Sequence, residues 1–219
     1  MIKGVIFDLD GTLCDTLPDL GSAMNQMLSS FGYPTRDREE LRLAICYGAR
    51  EFVFRSLPEG ARDEETVEKA LACYRENYKN ALTVHTKPYA GVESMLNALC
   101  AAGVPVAVYS NKPMPQTKAV VAHYFGEIPF AAVIGHVDGT PTKPDPTAAL
   151  EIAKEMGLTA HEIAFVGDSD VDMKTACNAG MMPIGVTWGY RDGETLLRGG
   201  ARSLVCDTEG LQELLLGKE

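Results

Sequence analysis

Long hydrophobic runs are missing from this chain: no apolar stretch approaches the roughly 20 residues a helix needs to cross a bilayer, so no membrane-spanning role is expected. Basic charge is scarce too. Twenty Lys and Arg stand against thirty Asp and Glu, a formal net charge of −10, which speaks against a general affinity for nucleic acid. The four histidines, His85, His123, His136 and His161, have no carboxylate or nucleophile at a telling spacing, and are read as core or surface residues. Six cysteines (Cys14, Cys46, Cys73, Cys100, Cys177, Cys206) are scattered and form no close pair at metal-ligand spacing. Free thiols in a reducing compartment are the expectation, with Cys14 singled out because it lies beside the first acidic loop. Neither an internal repeat nor a low-complexity tract is present. Hydrophobic residues make up 46% and charged residues 23%, the balance of a soluble globular protein. At 219 residues the chain can hold one domain of ordinary size and a smaller one. Because its first residues already read as strand and loop, no signal peptide is expected, and a cytoplasmic location is the default.

What is present begins at the N-terminus. The apolar run Val5-Ile6-Phe7 ends in Asp8-Leu9-Asp10-Gly11-Thr12-Leu13, which reads as a buried strand feeding a loop. Alternation along an extended chain sends Asp8 and Asp10 to one side and Leu9 back toward the core. Adjacent carboxylates raise one another's pKa unless a cation lies between them, and a hard divalent ion, most simply Mg2+, resolves that conflict. With such an ion holding a phosphate nearby, one carboxylate can attack phosphorus while the other shuttles a proton. Spacing alone does not choose which does which.

Three further clusters follow strand-like runs. Val104–Tyr109 stops at Ser110-Asn111-Lys112, where a hydroxyl and backbone N–H groups can cradle phosphate oxygens. Lys143 stands in Thr142-Lys143-Pro144-Asp145-Pro146, a segment stiffened by prolines. Ile163–Val166 ends in Gly167-Asp168-Ser169-Asp170-Val171-Asp172. Clusters just beyond strand ends are where open parallel sheets place their ligands.

Between about 16 and 84 no convincing strand is found; a helix is expected to start near Pro18 and to carry Leu20, Met24, Met27 and Leu28, with further helices near 37–45, 48–56, 63–73 and 74–82. From Gly91 onward helix and strand alternate, with helices near 91–102, 113–125, 146–156, 170–179 and 209–216, and strands near 104–109, 131–134, 163–166, 182–186 and 203–205. That alternation implies a parallel sheet with helices on both faces. The fold class is therefore α/β, a doubly wound Rossmann-like core formed by residues 1–15 and 85–219, interrupted by a helical insertion over 16–84. Segments 14–17 and 82–88 would serve as hinges.

In order and spacing, Asp8-Leu9-Asp10-Gly11-Thr12, Ser110-Asn111, Lys143 and Gly167–Asp172 resemble the four motifs of the haloacid dehalogenase superfamily of phosphohydrolases, over essentially the whole chain. Phe7–Leu13, Pro88–Val92, Ser110-Asn111-Lys112, Lys143-Pro144 and Gly185-Val186-Thr187-Trp188-Gly189-Tyr190 are similar to its phosphoglycolate phosphatase branch. The resemblance implies a helical cap inserted after the first motif and hydrolysis of a phosphate monoester through an aspartyl-phosphate. Asp8 would be the nucleophile and Asp10 the acid and base. An Asp8 oxygen, the Asp10 backbone carbonyl and Asp168 would hold Mg2+, with Asp172 reaching it through water. Ser110 and the Asn111 N–H would bind phosphate, Lys143 would supply charge, and Thr12 would orient Asp10 or its turn. In the cap, Tyr47-Gly48-Ala49-Arg50 is the candidate for substrate choice, Arg50 being able to pair with a substrate carboxylate. A small phosphorylated metabolite such as 2-phosphoglycolate is the expected substrate, and a monomer or homodimer the expected state.

Rival readings remain open at this stage. Pyrophosphatases and other small-ester phosphatases share the core motifs. Phosphoglucomutases of the superfamily usually carry Val where Thr12 stands, dehalogenases usually lack the second Asp, and phosphonate hydrolases place a small residue at Asp10. A catalytically dead scaffold would not need the full set of residues.

Overall fold

The computed structural model describes residues 2–79 and 81–217. The chain runs through β1 (Gly4–Phe7) and β2 (Cys14–Asp15), then four helices, α1 (Leu17–Ser30), α2 (Arg38–Ala44), α3 (Ala49–Ser56) and α4 (Glu64–Lys79), to β3 (Lys87–Pro88). Beyond it helix and strand alternate: α5 (Val92–Ala101), β4 (Val106–Pro113), α6 (Met114–Phe125), β5 (Ala132–His136), α7 (Thr147–Glu155), β6 (Ile163–Gly167), α8 (Asp170–Ala179), β7 (Met182–Val186), α9 (Gly193–Gly199), β8 (Ser203–Val205) and α10 (Thr208–Leu216). Contacts divide this path into two compact units, one of Met1–Asp15 with Pro88–Glu219 and one of Thr16–Lys87.

The larger unit is built on a six-stranded sheet in the order β5-β4-β1-β6-β7-β8. Every pairing is parallel. β1 is central and buried along its whole length, which is why it reads as a continuous apolar run rather than an alternating one. Ile6, Tyr109 and Phe165 pack on one face with Ala149, Ile152 and Ala153 of α7 and Ala176 and Ala179 of α8. From β1 the chain winds outward through β4 to β5, and then crosses to β6 on the other side of β1. That reversal makes a topological switch point at the carboxyl ends of β1, β4 and β6. Register places the ends together: Phe7 pairs with Val108 and with Val166.

In this unit two elements differ from expectation. β4 runs on to Pro113 instead of stopping at 109, because it pairs again with β5 at Pro113–His136 after a register shift beyond Tyr109. α9 was not expected. Its start is set by Asp192, whose side chain accepts from the Thr195 N–H at 2.8 Å, in a segment where glycines hide the helical pattern.

The smaller unit is helical. α4 is one helix over Glu64–Lys79 rather than two separated near 73, since no breaker interrupts the buried stripe Val67, Ala70, Leu71, Tyr74 and Tyr78. Tyr74 stacks on Tyr78 and meets Phe52 of α3 edge-on. Asp19 of α1 is buried and accepts from the backbone N–H groups of His85 and Thr86 at 2.8–2.9 Å, so this unit holds its chain as far as Lys87. No helix among the described residues is long and apolar enough to cross a membrane.

Candidate active site

Asp8 follows the last residue of β1, and its N–H donates to the Val166 carbonyl at 2.9 Å, which fixes it at the carboxyl edge of the sheet. The chain then turns at Gly11, whose φ of +88° is a left-handed conformation that a side chain disfavours. A Cβ there would also collide with the Asp168 carboxylate. The turn delivers Thr12, whose hydroxyl donates to Asp168 Oδ1 at 3.2 Å. Thr12 therefore orients Asp168, where the expectation was Asp10 or the turn.

Asp168 is fully buried at the end of β6. Its second oxygen, Oδ2, accepts from the Tyr190 N–H at 2.6 Å. The neighbouring Trp188 donates from Nε1 to the Thr12 carbonyl at 3.0 Å, so the segment after β7 clamps the first loop. Gly189 between them has no room for a Cβ against Asp168 and the Gly11 carbonyl.

Lys143 is the centre of charge. Its Nζ lies 2.6 Å from Asp172 Oδ1 and 2.8 Å from Asp8 Oδ1, and faces the rings of Tyr109 and Phe165 at 5.6 and 5.9 Å. Burial alone would pull its pKa down, but the Asp172 and Asp8 carboxylates outweigh that and hold it above the ordinary lysine value. Asn111 supports it from behind. The Asn111 Oδ1 accepts from the Lys143 N–H at 2.9 Å, and its Nδ2 donates to the Lys143 carbonyl at 3.3 Å. Beyond the backbone N–H expected to bind phosphate, the side-chain amide of Asn111 thus holds the main chain of the lysine. Ser110 accepts at Oγ from the Lys112 N–H at 3.3 Å.

Asp10 is paired with a residue to which the sequence had assigned no role. Lys112 Nζ donates to both of its oxygens, at 2.8 and 3.0 Å. Asp170 is also paired, to Lys174 at 2.6 Å, and belongs to the surface of α8. Arg50 lies in the helical unit, half-exposed, with its guanidinium 2.7 Å from Glu64 and 3.0 Å from Glu68. The structure thus gives Arg50 carboxylate partners of its own.

Three carboxylates form a buried group that could hold a cation. Asp8, Asp168 and Asp172 each offer one oxygen, all within 4.8 Å of one another. Burial first, and then Asp172, push the Asp8 carboxyl up to about 7; burial, Asp172 and Asp8 push Asp168 well above the carboxylate range. Asp8 Oδ1 is buried with no aligned hydrogen bond, its contact with Lys143 being electrostatic. Three anionic oxygen donors against one ammonium are undercompensated, and that donor set fits a hard divalent cation. Asp172 is less open to it than the others. Its Oδ1 takes Lys143, and its Oδ2 accepts from Ser169 N at 3.1 Å and Ser169 Oγ at 2.5 Å. Asp172 thus caps α8 and neutralises Lys143.

Cys14 lies beside this loop but is fully buried, and burial pushes its thiol well above the ordinary value. Iodoacetamide at pH 8 is therefore expected to label exposed Cys177 and Cys206 in the native protein and to leave Cys14 unlabelled, as read by peptide mass mapping. Labelling of Cys14 at the rate of the exposed thiols would overturn its assignment as an inert core residue.

Comparison with known proteins identifies the family. The family model for haloacid dehalogenase-like hydrolases matches residues 5–186. Phosphoglycolate phosphatase 1 of Pseudomonas aeruginosa is 38% identical over 220 residues, covering 96% of this chain and 78% of its own length. The phosphoglycolate phosphatase of Nitrosospira multiformis is 35% identical, covering 88% of this chain and 86% of its own. A crystal structure from Lactobacillus delbrueckii subsp. bulgaricus superposes with a TM-score of 0.92 at 28% identity over 99% of both chains. With the carboxylates, the buried lysine and the switch-point geometry in place, the chain belongs to the haloacid dehalogenase-like hydrolase family.

Proposed function

We propose that this protein is a Mg2+-dependent phosphatase that hydrolyses a small phosphate monoester, with 2-phosphoglycolate as the substrate, through a phosphoryl group carried on Asp8. The observation that carries the reading is the placement of Lys143 2.8 Å from Asp8 in a buried cluster of three carboxylates. The substrate is supported by the names of the curated relatives, at 31–38% identity.

Asp8 and Asp168 would hold the ion, with the Asp10 carbonyl as a further oxygen donor. When bound, Mg2+ neutralises phosphate oxygens and orients the group for in-line displacement. An Asp8 oxygen attacks phosphorus while the phosphorus–alcohol oxygen bond breaks. The departing oxygen keeps the electron pair and takes a proton from Asp10. In the second half, Asp10 as carboxylate removes a proton from water, whose oxygen attacks phosphorus and releases Asp8. Lys143 balances charge on Asp8 and the incoming phosphate, and Ser110 and the Asn111 N–H offer hydrogen bonds to phosphate oxygens.

The test is phosphate release with and without Mg2+ from 2-phosphoglycolate, pyrophosphate, other alkyl phosphates and p-nitrophenyl phosphate. Release is expected to stop on chelation with EDTA and return with Mg2+, and kcat/KM is expected to be highest for 2-phosphoglycolate. A higher value for pyrophosphate or another ester would replace the named substrate and keep the mechanism. No metal-dependent release from any of them would remove the reading.

A further inference from the structure

We infer that Lys112 is a positioning residue whose task is to hold the Asp10 carboxylate in its working orientation; the inference rests on the phosphatase reading above. Its side chain is 1% exposed while that of Asp10 is 17% exposed, so the ammonium lies beneath the carboxylate rather than out in solvent. Both Asp10 oxygens are engaged, at 2.8 and 3.0 Å, which restrains rotation of the carboxylate plane as a single contact would not. Burying a lysine costs rotamer freedom and desolvation, so an apolar side chain would fill this space at lower cost if packing were its only role.

The strand is shaped for the contact. Lys112 lies where the register of β4 against β5 shifts between Tyr109 and Pro113, the kind of irregularity that re-aims a side chain. Its carbonyl is fixed by the Thr117 hydroxyl at 3.0 Å, and Gly135 of β5 leaves no room for a Cβ against the same carbonyl. Nothing in the reaction asks Lys112 to change its own charge. Asp10 gives its proton to the departing oxygen and later takes one from water, and Lys112 keeps the carboxylate aimed at the position both oxygens occupy in turn.

Proton donation matters most when the leaving group is a poor one. Two esters separate the roles: 2-phosphoglycolate, with an alkoxide to protonate, and p-nitrophenyl phosphate, whose phenolate departs without help. In Lys112→Met the ratio of kcat/KM for the alkyl ester to that for the aryl ester is expected to fall about 10-fold or more, with Lys112→Arg recovering part of it. In an Asp10→Asn background the same Lys112 change is expected to cost less than about 2-fold on the aryl ester, because a residue that acts through Asp10 has nothing left to act on. Circular dichroism checks folding, and Lys112→Gln replaces the Met variant if that one fails to fold. Equal losses on both esters and in both backgrounds, or no loss at all, would overturn the inference. Release that survives Asp8→Asn would overturn the phosphatase reading and this inference with it. Release that requires Asp8, with Lys112 variants that leave the ester ratio unmoved, overturns the inference alone.

Discussion

Asp8→Asn is expected to abolish phosphate release, by about 10⁴-fold or more, while making the metal-free protein more stable than wild type. The loss follows from replacing the nucleophilic oxygen with an amide. The gain follows from charge. Three carboxylates crowd one ammonium in a buried pocket, and removing one of them leaves Lys143 with its closer partner, Asp172, at 2.6 Å. Stability and activity thus move in opposite directions, which is the behaviour of a site held under electrostatic strain for its chemistry. Thermal unfolding in EDTA and a coupled phosphate assay read the two effects. A variant that keeps turnover within about 10-fold of wild type would remove Asp8 as nucleophile.

The same group sets a pH dependence with a definite sign. The folded Asp8 carboxyl titrates near 7, and burial and the neighbouring Asp172 place it there, whereas an unfolded Asp titrates near 3.9. Below about pH 4 both states carry the proton and Asp8 costs nothing. As pH rises from there toward 7, the unfolded chain releases the proton while the fold retains it, so stability falls, and above 7 the penalty is complete. Asp8→Asn removes this contribution, so its stability advantage in EDTA is expected to be larger at pH 8 than at pH 4.

How far the site was legible in the sequence depends on the distance between partners. Asp8 and Asp168 could be read locally, since each ends an apolar run in glycine and acid, and a central parallel strand announces itself as a run without alternation. Ser110 and Lys143 could be placed near them because strand ends in such a sheet share an edge. Lys112 could not be given a task, because its partner lies 102 residues away and only the register of β4 against β1 brings them together. The amide of Asn111 is a similar case, holding a lysine 32 residues on through a loop whose path no local pattern predicts. Trp188-Gly189-Tyr190 was visible as a motif, but its work, a clamp on the Thr12 carbonyl and the Asp168 carboxylate, is tertiary. In the helical unit no residue near 73 stops α4, and the spacing of Leu71, Tyr74 and Tyr78 carries the helix through.

Lys143→Met is expected to have the opposite signature to Asp8→Asn, losing turnover and stability together. Without the ammonium, Asp8 and Asp172 lose the cation that pairs with both, and removing one partner of a buried ion pair costs about 3–5 kcal/mol. In a chain of this length that is a fall in Tm of roughly 10 °C. Adding Asp172→Asn to the Met variant removes the carboxylate that sits closest to the missing charge, so stability in EDTA is expected to recover by more than half. Turnover is not expected to recover, because the ammonium that faces Asp8 and the incoming phosphate is still missing. Urea unfolding of the three proteins in EDTA gives the stabilities. If the single and double variants are equally unstable, the lysine stabilises the fold by packing against Tyr109 and Phe165 rather than by its charge. If the Met variant keeps turnover near wild type, the phosphate is neutralised by something other than this buried lysine.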